Sequence, residues 1–180
     1  RLAADRLNPG GVMCQWLPLP DLTPADFKSV VATFAKVFPY TMLFHSTAAV
    51  LIGSMEPFEV DFENLSTRLN QPRVKQGLST VGLEDPLVFL SELALDDTGV
   101  RLFSDGSIIN TDDNLYLEYS SPLAVGENTN TENILGEIYG IGSAASPVAG
   151  DEAWQRSLEQ LQDLKGATIE IERAFRANIP

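Results

Sequence analysis

The apolar positions of this chain change period within a short stretch near its start. Val12-Met13-Cys14-Gln15-Trp16-Leu17 is a nearly continuous apolar run, interrupted only by Gln15. That pattern predicts a strand covered on both faces. Phe27, Val30, Val31, Phe34 and Phe38 then recur at i, i+3, i+4, i+7 and i+11, one face of an amphipathic helix. The punctuation agrees with both elements. Arg1 to Leu7 is rich in helix formers and reads as the end of a helix, which Pro9-Gly10-Gly11 stops. Pro18 and Pro20 break the strand, Thr23 can cap the next helix, Pro24 suits its first position and Asp26 answers its dipole. Pro39 ends it. Tyr40 to His45 and Ala48 to Met55 follow as two strands around Ser46-Thr47, an antiparallel hairpin.

A parallel strand, a helix and a closing hairpin is the order in which a class I methyltransferase-like sheet ends. The expected fold class is therefore α/β: the C-terminal portion of a Rossmann-like sheet, followed by a mostly α-helical extension. A doubly wound sheet does not open in mid-step, so the chain reads as the second part of a larger domain. Residues 1–56 form the α/β part in this reading, 57–124 a helical and loop extension, and 125–180 a linker and helical tail. Short helices are predicted over Phe62 to Leu69, Gln71 to Val81 and Pro86 to Ala94, with Asp85-Pro86 opening the last. Asp96 to Asn114 reads as a polar loop or lid, and Leu115 to Tyr119 alternates like a short strand. A helix over Glu132 to Tyr139 and a final amphipathic helix from Asp151 complete the reading. Trp154, Leu158, Leu161, Ile171 and Phe175 supply the apolar side of that last helix, and Gly166 is expected to interrupt it.

Charge narrows the partners. With 12 Lys+Arg against 25 Asp+Glu, the 180 residues carry a formal charge of -13. Nucleic acid phosphates and anionic membrane surfaces both require basic neutralisation, so neither is an expected partner. A small cationic amine is the electrostatically favoured ligand class. No apolar run approaches the roughly 18 residues a spanning helix requires. The single cysteine, Cys14, allows no internal disulfide and is expected to be a small buried hydrophobe. A reducing cytoplasm fits that content.

Few motifs carry chemistry. Gly140-Ile141-Gly142-Ser143-Ala144-Ala145 has the spacing of a dinucleotide loop, but a helix precedes it where a strand is required, and Pro147 follows too soon. The acidic stretch from Asp96 to Glu118 fails as a calcium loop, because Arg101 and Phe103 occupy ligand positions ahead of Asp105-Gly106. No metal site is expected. His45, the only histidine, has no identifiable catalytic or metal partners and reads as structural. Asn110-Thr111-Asp112-Asp113 either caps a turn or points two carboxylates at a cation. Gln15-Trp16 stands at the carboxyl end of a strand, where open α/β sheets bind ligands. There the pair either lines a pocket or serves as core and loop cap.

Leu7-Asn8-Pro9-Gly10-Gly11-Val12-Met13-Cys14-Gln15-Trp16-Leu17-Pro18-Leu19, with Asp26-Phe27-Lys28 and Thr33 to Pro39, resembles the spermidine synthase-like family. The likeness is to its long bacterial members, often fused to a membrane transporter-like region. Asn110-Thr111-Asp112-Asp113 followed by Leu117-Glu118-Tyr119 is similar to a second motif of those proteins. The resemblance implies an aminopropyltransferase-type reaction, in which an amine attacks decarboxylated S-adenosylmethionine. It also implies a homodimer and, ahead of this chain, the rest of the domain.

The family's glycine-rich nucleoside loop and the aspartate that deprotonates the amine have no counterpart in these residues. No catalytic residue and no bound cofactor are therefore expected for the chain alone. Gln15 resembles a family glutamine near the amine channel, and Gln15, Trp16, Asp112 and Asp113 are the candidate substrate-binding residues. The family's channel tyrosine is replaced, since its place reads Phe44-His45-Ser46-Thr47. That permits a methyltransferase on the same fold, using S-adenosylmethionine itself; a separate reading is a non-catalytic interaction or regulatory domain whose helices after residue 57 bind a partner or a lid.

Overall fold

The computed structural model describes residues 2–20, 22–58, 60–124, 130–141, 148–149 and 152–177. It is a mixed α/β structure built on a four-stranded antiparallel sheet. After a single 3-10 turn at Ala4–Arg6 come β1 (Val12–Leu17), α1 (Pro24–Val37), β2 (Tyr40–His45) and β3 (Ala49–Ser54). A short β4 (Val60–Asp61) leads into α2 (Phe62–Leu69), α3 (Pro72–Ser79) and α4 (Pro86–Ser91). Then follow β5 (Leu93–Leu95), α5 (Asp97–Ser104), α6 (Tyr116–Ser120) and α7 (Asn130–Gly140). A two-residue β6 (Val148–Ala149) pairs parallel with β4, and α8 (Glu152–Ala177) closes the order.

The sheet runs β1-β3-β2-β5, with every neighbouring pair antiparallel. Strands β1 and β2 therefore point the same way, and β3 lies between them. Leu17, Leu43, Ala49 and Leu51 share one face by strand alternation. They join Phe27 and Val31 of α1, Val100 and Phe103 of α5, and Ile134 and Ile138 of α7 in the main core. Residues from all three predicted segments meet there. Gly53 lets Phe34 of α1 and its C-cap Phe38 approach the sheet closely: a Cβ on it would stand 2.5 Å from Phe34 Cε1 and 2.7 Å from Phe38 Cβ. A second, smaller core joins Leu90 of α4 to Leu158 of α8, with Phe62, Leu65 and Phe89 packed around them.

The caps predicted from sequence are present. Thr23 Oγ1 accepts from the Asp26 amide at 3.1 Å, Pro24 opens α1, and Asp85 Oδ1 accepts from the amides of Leu87 and Val88.

Several elements differ from the sequence reading. Strand β1 is an edge strand with antiparallel pairing, not a parallel strand covered on both faces. Cys14 is exposed rather than buried, and so are Val12 and Trp16. The apolar run is real, but among the described residues no strand lies on its outer side. Asp97 to Ser104 is a helix rather than loop, because Asp96 accepts from the Gly99 amide at 2.7 Å and caps it. The predicted helix to Ala94 stops at Ser91, and the next apolar residues add β5 to the sheet.

Leu115 to Tyr119 is not a strand. Asn114 Oδ1 accepts from the Tyr116 amide and Asn110 Oδ1 from the Leu117 amide, which starts α6 instead. Helix α8 passes Gly166 without interruption. Most of the linker before α7 and the glycine pattern from Gly142 onward lie outside the described residues.

Candidate functional site

Three places carry the polar chemistry. The first is a buried cluster at the carboxyl end of β2. His45 closes that strand, and its Nδ1 lies 3.2 Å from the Tyr139 hydroxyl of α7, the two rings edge to face. Lys165 of α8 donates to the His45 carbonyl and pairs with Glu92 Oε2 at 2.7 Å. Glu92 sits in the link between α4 and β5, and its carbonyl accepts from the His45 amide at 2.7 Å.

Burial controls the titration of this cluster. It holds the His45 imidazole down to about 4, with the nearby Lys165 charge acting in the same direction. At neutral pH the ring is therefore uncharged. The Tyr139 hydroxyl both donates and accepts, so it can serve either tautomer of that ring. Burial, then the Glu92 carboxylate, raises the Tyr139 phenol above its usual range. Burial lowers the Lys165 ammonium, opposed by its hydrogen bond and attraction to Glu92.

Tyr139 also lines a cavity of about 190 Å³ with Leu93, Ala94, Gln162 and Gly166. Gln162 Nε2 donates to the Leu93 carbonyl at 3.0 Å. The cluster thus fastens α7 and α8 to the sheet end. Tyr139, Glu92 and Lys165 were absent from the sequence reading. One signal existed: Lys165 and Gln162 fall seven and four residues after Leu158, on the apolar face of the last helix.

The second place is a cleft of about 860 Å³, the size of a small-molecule pocket. Leu2 to Asp5 form one wall, Thr33, Lys36 and Val37 of α1 another, and Met55 with Ile109 to Asp112 the remainder. The stretch from Ile109 to Leu117 is organised by side-chain hydrogen bonds. Asn114 accepts from the Thr111 amide and donates to the Ile109 carbonyl, which holds Leu115 at a positive φ of 45°. Two side chains of α1 tie this strap down. Thr33 Oγ1 accepts from the Asn110 amide at 2.8 Å, and Asp26 Oδ1 accepts from Ser120 Oγ. Thus Asn110 and Thr111 do turn-forming work, while Asp112 lines the cleft. Asp113 is exposed beside it and is not among the lining residues.

The third place is β1 itself. Gln15 is exposed, and its Nε2 donates to the carbonyl of Trp16 at 2.9 Å. Trp16 is 58% exposed. These residues stand in register with Leu51 and Val50, whereas the cleft meets the sheet at Met55, past the Val12–Ser54 pair. The four candidate substrate residues are therefore divided between opposite ends of the sheet.

The two edges of that sheet contrast. Strand β5 is buried throughout, and Gln162 satisfies its Leu93 carbonyl from α8. Strand β1 has no charged residue and no proline, and no strand among the described residues pairs with its outer side. Proteins usually protect an edge by one of those devices.

Among the described residues no helix is long and apolar enough to cross a membrane, and no three metal-ligating side chains are gathered. No family model, curated protein or solved structure matches this chain.

Proposed function

We propose that these residues form the C-terminal part of a spermidine synthase-like transferase domain, acting in the cytoplasm on an S-adenosylmethionine derivative and a small amine. The observation that carries this reading is the order β1-β3-β2 combined with the bare outer edge of β1. A class I methyltransferase-like sheet ends with two strands running the same way and an antiparallel strand inserted between them. Its remaining parallel strands would attach at the edge left open here. In that assembly the outer backbone groups of β1 would be paired, and helices accompanying the added strands would cover Val12, Cys14 and Trp16, which share the face opposite Leu17.

The nucleoside-binding loop and the catalytic base belong to the segment that attaches at β1. Decarboxylated S-adenosylmethionine is the donor in this proposal, and Gln15 with Trp16, at the carboxyl end of β1, border the amine. Asp112 and Asp113 stand too far along the sheet to share that site. A methyltransferase on the same sheet, using S-adenosylmethionine itself, is the second reading. The Phe44-His45-Ser46 sequence, which lacks the family's channel tyrosine, favours it. The third reading is a domain without catalysis, in which the open β1 edge receives a strand from a partner.

Calorimetry on the natural polypeptide that carries these residues separates the three. Heat with decarboxylated S-adenosylmethionine supports the aminopropyl transfer, and heat with S-adenosylmethionine alone supports methyl transfer. Absence of heat with either leaves the interaction domain.

A further inference from the structure

The large cleft lies at the wrong end of the sheet for the proposed transferase site. Strands β1 and β2 begin there, and α1 finishes there, whereas open α/β sheets bind their ligands at the carboxyl ends of the strands. Any ligand of this cleft is therefore distinct from the proposed transferase substrates. The charge pattern of the cleft limits what that ligand can be.

Lys36 stands in the last turn of α1, and Asp5 and Asp112 stand on two other walls. None of the three forms an ion pair among the described residues. Both signs of charge thus face one cavity without cancelling each other. A simple cation would be attracted by two carboxylates and by the partly negative end of α1, but repelled by Lys36. A simple anion would meet the reverse. A molecule that carries both an ammonium and a carboxylate finds an opposite charge in the lining for each of them.

The rest of the lining describes the body of that molecule. Val37, Met55 and Ile109 add apolar surface to the same lining. Met55 is 48% exposed, although it follows a strand whose final residue, Ser54, is buried. Ligand pockets of this kind are mostly apolar, with a few placed polar groups that fix orientation. Asn110 adds one such group to the lining: its Oδ1 is taken by the Leu117 amide, and its Nδ2 is a donor.

We propose that the cleft between the Ala4–Arg6 turn, the end of α1 and the Asn110–Asp112 turn binds a zwitterion of the amino-acid type with an apolar side chain. Lys36 and Asn110 receive its carboxylate, and Asp112 with Asp5 receives its ammonium. The proposal is independent of the transferase reading, since it uses neither the open edge of β1 nor Gln15.

Three matched probes test it by calorimetry on the full chain: phenylalanine, phenethylamine, which lacks the carboxylate, and 3-phenylpropanoate, which lacks the ammonium. Phenylalanine is expected to bind about tenfold or more tightly than either analogue, the ratio one lost charged contact produces. Lys36→Ala should bring phenylalanine down toward phenethylamine without weakening the amine. Asp112→Asn should bring it down toward the acid. Both residues are exposed, so circular dichroism should confirm an unchanged fold in each variant. Equal affinity for the amine and phenylalanine, tighter amine binding in Lys36→Ala with no phenylalanine preference in the parent, or no heat with any probe would each overturn the assignment.

Discussion

Lys165 Nζ lies 2.7 Å from Glu92 Oε2, joining side chains 73 positions apart in the chain. Both groups are mostly shielded from water, at 20% and 16% side-chain exposure. The same ammonium takes the His45 carbonyl. One cation therefore holds the last helix to the ends of two sheet segments.

Removing only one member of this pair leaves the other charge shielded and unmatched. Lys165→Ala should cost about 2–3 kcal/mol of stability, toward the lower side for a buried pair because some water reaches it. Replacing both, Lys165→Met with Glu92→Leu, should cost less than Lys165→Ala alone. Urea denaturation of the two variants checks the order.

The cluster also makes stability depend on pH in two opposite senses. His45 has its folded value near 4 and an unfolded value of 6.5, so between those limits the unfolded chain binds more protons. Stability is then present in full above pH 6.5 and is lost as pH falls toward 4, by about 3 kcal/mol at most. Tyr139 acts at the other end. Its folded value lies above the usual 10, so the unfolded chain loses its proton first and stability falls as pH rises past 10. Lys165, whose ammonium burial lowers, works against Tyr139 in that range, so the clear signal is acidic: denaturant midpoints measured from pH 4 to 8 should fall toward the acid limit, and His45→Gln should flatten that fall.

Gly53 admits no side chain. The 2.5 Å and 2.7 Å approaches to Phe34 and Phe38 involve a ring and a Cβ that the main chain of α1 holds in place. Gly53→Ala should destabilise by about 2–3 kcal/mol through overpacking, whereas Gly77→Ala, which meets nothing within 4 Å, should be neutral or slightly stabilising. Thermal melts of the pair compare them directly.

Cys14 reports on the edge strand. Its thiol is exposed, so a thiol-reactive disulfide reagent should modify it in the native chain at a rate close to that of free cysteine. If a further segment completes and covers the sheet as proposed, the same thiol should be protected at least tenfold in the polypeptide that carries it. Equal rates in both would remove the sheet-completion reading.

The helix from Pro24 and the hairpin from Tyr40 were legible because their signals are local: a cap, a proline, a period. Strand β1 was legible as a strand but not as an exposed one. Burial depends on what lies beside it, and the pattern Val12 to Leu17 describes an interior neighbour that these residues do not supply. Helix α6 was missed because two asparagine side chains, rather than periodicity, start it. The His45 cluster was missed for a different reason. Its members are contributed by β2, the α4–β5 link, α7 and α8, and only folding brings them together. Asp112 and Gln15 were both candidate substrate residues, and the register of the sheet sets them at opposite ends.

A sheet whose β5 end is closed by α8 and whose β1 end is bare can be lengthened on one side only. Amyloid growth needs two reactive ends on every unit, so that each addition creates the next acceptor. Here an added strand uses up the acceptor. If two copies met edge to edge at β1, the pair would present no further open edge of this sheet, and growth of the sheet would stop at that stoichiometry. Helix α8, through Gln162 on the Leu93 carbonyl, acts as a chain terminator for the sheet.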